Sequence, residues 1–136
     1  WSGPPTEPLL IAAAECKRTP VEHLRWMLRI IDVKAALEAR GYPRGARGEV
    51  HFEVTDTLLP HNSGRWVLHV ADGNGTVTAG GKGDVRLDIR GLAPLYSSFL
   101  SPHALRSTGF IECGDAALEA ATTIFAGPEP WMPEIF

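Results

Sequence analysis

Hydrophobic and polar residues alternate in three stretches of the chain. In 49–55, Val50, Phe52 and Val54 alternate with Glu49, His51 and Glu53. In 65–70, Trp66, Leu68 and Val70 alternate with Arg65 and His69. In 84–90, Val85, Leu87 and Ile89 alternate with Asp84, Arg86, Asp88 and Arg90. A period of two places the two sets on opposite faces, so these read as strands of an antiparallel sheet with one apolar and one wet face. Asp72-Gly73-Asn74-Gly75 supplies the positive-φ residues of a tight hairpin, and Thr76 to Ala79 makes a short return strand. Trp26-Met27-Leu28-Arg29-Ile30-Ile31 is apolar on both faces, which predicts a strand covered on both sides.

Elsewhere the period is helical. Asp32 is placed to cap a helix from Val33 to Arg40, stopped by Gly41 and Pro43. Leu92, Leu95, Tyr96 and Phe99 share one helical face. Ser101-Pro102 opens a short helix that ends at Gly109, and Phe110-Ile111-Glu112 fits a last strand. Asp115 is placed to cap a helix with Leu118, Ala121, Thr122 and Phe125 on one stripe, ended by Gly127. The prolines of the tail from Pro128 to Phe136 exclude regular structure there. The order of elements predicts an α+β fold: a mostly antiparallel sheet of about five strands with helices packed on one face.

A chain of 136 residues can bury about two thirds of its unfolded surface, enough for one domain. Residues 1–22, rich in proline, read as a linker or the end of a preceding domain, and 23–136 as the domain itself. The chain begins at Trp1, which suggests a piece of something longer. Residues 1–47 carry a local +3 and residues 48–136 a local −6, with no basic stripe, which argues against a nucleic-acid partner. No apolar run approaches a membrane span, and no signal peptide is visible; the expectation is a bacterial cytoplasmic protein, with secretion left open. Cys16 and Cys113 read as reduced, structural thiols.

Few residues offer chemistry. His51 and His69 lie on the wet face with Glu53 nearby, but without a further ligand at zinc-site spacing they read as solvated histidines, and no metal is expected. His23, His61 and His103 read as surface residues, and Tyr96 as core rather than general acid. Gly80-Gly81-Lys82-Gly83 lacks the spacing of a phosphate loop and reads as a flexible loop. Trp131-Met132-Pro133-Glu134-Ile135-Phe136 is a stiff, aromatic tail whose apolar residues are costly to leave in water.

Several segments resemble one family. They are Leu28 to Val33, Ala35 to Tyr42, Val54-Thr55-Asp56, Asn62 to Leu68, Asp84 to Ile89, Leu92 to Tyr96 and Pro130 to Phe136. Together they resemble the C-terminal domain of the Eis (enhanced intracellular survival) group of GNAT N-acetyltransferases. That resemblance implies a sterol-carrier-protein-like fold behind two acetyltransferase domains, homo-hexamers, and transfer of acetyl from acetyl-CoA to amines, including those of aminoglycosides. It implies that the terminal carboxylate of Phe136 serves as general base in the parent enzyme, with Glu134 lining the substrate site. Acetyl-CoA would bind in the acetyltransferase domain that this chain lacks, so the chain alone would not bind it or catalyse. The alternatives are a lipid or sterol carrier, since such a fold can hold acyl chains between sheet and helices, and an interaction domain with no site of its own. Large inward residues Phe52, Trp66, Leu68, Leu95 and Phe99 speak against a lipid-sized tunnel.

Overall fold

The computed structural model describes residues 26–132, together with Ala12. Asp32 opens the first helix, α1 (Val33–Ala39), by accepting a 2.8 Å hydrogen bond from the Ala35 amide. The chain continues through β1 (Gly48–Thr55), a 3-10 turn (Pro60–Asn62), β2 (Gly64–Ala71) and β3 (Asn74–Ala79). It then forms β4 (Val85–Asp88), α2 (Ile89–Tyr96), α3 (Pro102–Ser107), β5 (Ile111–Cys113) and α4 (Asp115–Ile124). The fold is α+β: one five-stranded sheet in the order β3-β2-β1-β4-β5, mostly antiparallel.

The alternating strands behave as their pattern requires. Val50, Phe52, Val54, Leu68 and Val70 are buried, and α1 packs on β3, α2 on β4 and α4 on β1. Burying a side chain the size of Phe52 is worth roughly 1.5–3 kcal/mol, so this face holds the domain together. Asp72 and Gly73 take φ of 53° and 83° and make the two-residue turn between β2 and β3. Ser101 caps α3 by accepting from the Ala104 amide, Pro102 is its first residue, and Gly109 ends the turn with φ 76°.

Several expectations are corrected. Trp26 to Ile31 forms no strand; Ile30 is buried, while Met27, Leu28 and Ile31 face outward. The third alternating stretch pairs in parallel with β1 and ends at Asp88. The Asp88 carboxylate accepts from the Arg90 amide at 2.9 Å and starts α2, so Ile89 and Arg90 are helical. Leu92 and Leu95 are fully buried on α2, but Phe99 lies past its end and is exposed, and Trp66 is only half-buried. Phe110 is exposed and β5 begins at Ile111. Gly114, not Asp115, caps α4, which ends at Ile124 rather than Gly127; Ile124 joins Leu118, Ala121 and Phe125 in the core.

The glycine loop is the largest departure. Ala79 sits beside Trp66, Trp66 beside Phe52, and Phe52 beside Val85. The chain must therefore cross three strand spacings, about 14 Å. It has six residue steps to do so, with a full reach of about 20 Å. The crossing runs over the polar face. The Gly80 amide donates to the Arg65 carbonyl at 2.8 Å, and the Lys82 amide to His51 Nδ1 at 3.2 Å. A Cβ on Gly81 would lie 2.5 Å from Val67 Cγ2, and one on Gly83 would lie 2.7 Å from Glu53 Oε2. Gly81 and Gly83 also have φ of 98° and 72°, where side chains are strained. Residues 80–83 are a closely fitted strap, not a flexible loop.

Candidate functional site

Two polar centres and one groove stand out, none of which rests on the histidines. Glu49 lies opposite His69, and its carboxylate is 3.3 Å from His69 Nδ1 and 3.4 Å from His51 Nε2. Glu49 rather than Glu53 thus sits between the two imidazoles. Glu53 is held by Arg65 at 3.2 Å and by Arg86 at 3.8 Å. Among the described residues no cluster of three or more His, Cys, Asp or Glu could hold a metal ion. His61 Nε2 lies 2.9 Å from the Ile31 carbonyl, and His103 is exposed. Cys113 is a half-buried free thiol, and burial raises its pKa. His23 and Cys16 lie outside the described residues.

The first centre forms where the chain leaves β1. Asp56 is almost fully buried, and its carboxylate accepts from the Leu58 and Leu59 amides, each at 3.0 Å. Asn62 Nδ2 adds a 3.0 Å bond, and Arg29 Nη2 reaches both oxygens at 2.7 and 2.9 Å. Burial alone would raise the pKa of Asp56. The bonds from Asn62, Leu59, Leu58 and Arg29 outweigh it and hold the carboxyl well below the usual range. Asn62 in turn accepts from the Val33 amide at 3.0 Å, tying the start of α1 to this turn. With four donors making five hydrogen bonds to its two oxygens, Asp56 is an anchor and not a proton acceptor.

The second centre surrounds Arg40, which caps the C-terminal end of α1. Its Nε donates to the Tyr96 carbonyl at 2.7 Å, at the end of α2. Its Nη2 donates to Ser98 Oγ at 3.0 Å and to the Phe125 carbonyl at 3.4 Å, at the end of α4. The guanidinium lies 4.9 Å from the Tyr42 ring centre and 5.0 Å from that of Phe125. Burial lowers its pKa, opposed by the nearby Tyr42 and Tyr96. Burial likewise pushes the Tyr42 hydroxyl well above its ordinary value while it donates to the Leu37 carbonyl at 2.7 Å.

An open groove of about 850 Å³ runs from this centre, bordered by Arg40, Tyr42, Tyr96, Ser98, Pro128 and Trp131. The tail thus leaves α4 beside a fixed cation. Ser98 Oγ donates to the Phe125 carbonyl at 2.9 Å, and a Cβ on Gly127 would lie 2.6 Å from Ser98 Oγ. Gly127 is needed there for close approach. Tyr96 packs against the core, as its stripe requires. The sequence-derived site residues Glu134 and Phe136 lie outside the described residues.

Neither Arg40 nor Asp56 stood out in the sequence. Asp56, followed two and three residues later by amides it can accept from, carried a turn signal. Arg40 carried none, because its acceptors are mostly backbone carbonyls, which any residue supplies. The strap does not fit acetyl-CoA as a phosphate cradle: its Lys82 amide is bonded to His51, and Gly81 and Gly83 press on the side chains beneath. No helix among the described residues is long and apolar enough to cross a membrane.

A mostly antiparallel sheet with helices against its apolar face and a glycine strap across its polar face defines the class: a small α+β domain. The sequence model of the sterol carrier protein domain matches residues 33–133, and the chain belongs to that family. An uncharacterized N-acetyltransferase of Streptomyces avermitilis is 39% identical over 113 residues, covering 80% of this chain and 27% of the relative. The crystal structure of a GCN5-related N-acetyltransferase from Anabaena variabilis superposes with a TM-score of 0.96 and 47% identity, covering 100% of this chain and 35% of that one. Eis1 from Mycobacterium abscessus superposes with a TM-score of 0.66 and 32% identity, over 77% of this chain and 26% of its own. The chain thus spans between about a quarter and a third of these relatives and is related to N-acetyltransferases.

Proposed function

We propose that this chain is the C-terminal accessory domain of an Eis-like, acetyl-CoA-dependent N-acetyltransferase acting on amines. The observation that carries the reading is the match to the Anabaena acetyltransferase over the whole of this chain but only 35% of that one. Acetyl-CoA would be held by an acetyltransferase domain outside these residues, and the partners would be the parent's own acetyltransferase domains and further copies of the parent. An amine acceptor reaches the site as an ammonium and must lose a proton before it can attack a thioester. In this reading the α-carboxylate of Phe136 takes that proton, and Glu134 attracts the cation. Burial near the acetyltransferase site would raise the carboxylate's pKa enough to make it a base. The tail's departure point suits the task, since Arg40, Ser98 and Gly127 fix the exit from α4.

The carrier reading is less well supported. The space between sheet and helices is filled by Leu37, Phe52, Leu68, Leu92 and Leu95, all fully buried.

Deleting Phe136 from the complete enzyme, or amidating its C-terminus, should lower kcat about 100-fold, the scale of losing a general base. Thermal unfolding should not move, because the deletion lies beyond the last helix. Normal turnover by the truncated enzyme would exclude Phe136 as the base.

A further inference from the structure

His51 is held from two directions at once, between Glu49 on its own strand and the glycine strap above it. The Lys82 amide donates to His51 Nδ1 at 3.2 Å, so that nitrogen presents a lone pair. The hydrogen of the neutral ring then sits on Nε2, 3.4 Å from Glu49 Oε2. A Cβ on Gly81 would lie 2.7 Å from the same Nδ1, so the strap rests on the ring itself. The His51 side chain is accordingly only 20% exposed, whereas that of His69 is 55% exposed. A second proton on the His51 ring has only Nδ1 to go to. There it would point at the Lys82 N–H, and the two hydrogens cannot share that bond.

We propose that His51 is a proton-operated latch: neutral, it accepts from Lys82 and holds the strap on the sheet; protonated, it releases residues 81–82 and turns its charge to Glu49. The charged pair with Glu49 offsets the neutral bond that is lost. The other charged groups around the ring are engaged with one another or face solvent. From β2, Arg65 is 3.2 Å from Glu53, and His69 Nδ1 is 3.3 Å from the second oxygen of Glu49. From β4, Arg86 is 3.8 Å from Glu53. Lys82 and Asp84, on either side of Gly83, are exposed, and Val67 directly across on β2 is uncharged. Among the described residues, His51 Nδ1 is the one titratable atom bonded to a strap amide; the Gly80 amide donates to a backbone carbonyl.

Nuclear magnetic resonance of the 136-residue chain tests the latch without any variant, over the range of about pH 8 to 5 in which histidine changes charge. The ring nitrogens report tautomer and proton, and the Lys82 amide reports the strap. Protection of that amide, relative to its intrinsic exchange rate, should fall about 10-fold as His51 takes up its proton, the scale of one lost hydrogen bond. The Gly80 amide should keep its protection. His51→Asn offers an oxygen near the place of Nδ1 that takes up no proton, so Lys82 should stay protected throughout. Glu49→Gln should move the release to lower pH, because the charged ring loses its partner. His69→Gln should leave the release in place. A hydrogen on Nδ1 at pH 8, a ring still neutral at pH 5, or a titrating His51 with an unchanged Lys82 amide would overturn the proposal. So would a release that persists in His51→Asn, because another group would then drive it.

Discussion

Asp56 and Arg40 both hold chain segments together from partly or fully desolvated positions, but they draw on different partners. Asp56 collects donors from Leu58, Leu59 and Asn62, at most six positions away, and from Arg29. Apart from one bond to the adjacent Gly41 carbonyl, Arg40 directs its donors to acceptors 56, 58 and 85 positions away. The anion therefore organises a local turn and joins it to one neighbouring segment. The cation joins the ends of three helices that come together only in the finished fold. Asp56 is a device of local structure, and Arg40 a device of tertiary structure.

Three substitutions sharpen this contrast. The largest effect is expected for Asn62→Ala, which strips a donor from Asp56 and the acceptor from the buried Val33 amide. Leaving these groups unsatisfied should cost on the order of 3 kcal/mol, read from the denaturant midpoint. Arg40→Ala should cost about 2 kcal/mol by the same measurement, because carbonyls at helix ends regain water more easily than a buried amide does. Arg40→Lys should recover less than half of that, since an ammonium cannot match three planar directions at once. Equal losses for Arg40→Lys and Arg40→Ala would mean that the ring contacts of Arg40 carry nothing.

The smallest effect concerns acid. The folded pKa of Asp56 is depressed, so its stabilisation is fully present above its unfolded value, about pH 4. It is lost as pH falls through the lower folded value. Asp56→Asn removes this dependence. The variant's unfolding free energy should therefore fall less than the wild type's between pH 4 and pH 2, measured by denaturant titration at each pH. Parallel pH profiles would show that Asp56 is not held as described. Arg40 variants should leave the profile unchanged.

Legibility in the sequence follows the same division. The strands at 48–55 and 64–71, the Asp72-Gly73 turn and the Ser101 cap are readable because their signals are local in sequence. The parallel pairing of β4 was not, since alternation reports a face and not a direction. Gly80 to Gly83 read as flexible because glycine signals either freedom or close approach, and only the side chains of β1 and β2 beneath decide which. Trp26 to Ile31 reads by composition as covered on both faces, whereas Ile30 is buried and Met27, Leu28 and Ile31 are exposed, because alternation over six residues does not say whether a strand forms. Of the candidate site, Phe136 and Glu134 came from family resemblance alone, and Arg40 had no signature to read.

The strap sets an order of assembly. Its glycines rest on Val67 and His51 and on Glu53, side chains supplied by two different strands. That seat exists only once β1 and β2 have found their register. The hairpins β1–β2 and β2–β3 join segments close in sequence, so their loops close at little entropic expense. The strand after the strap must wait for them, then bring β5 and the C-terminal helix with it. Refolding of this domain should therefore proceed from the N-terminal meander outward, and alanine at Gly81 should slow the late step while leaving the early hairpins intact.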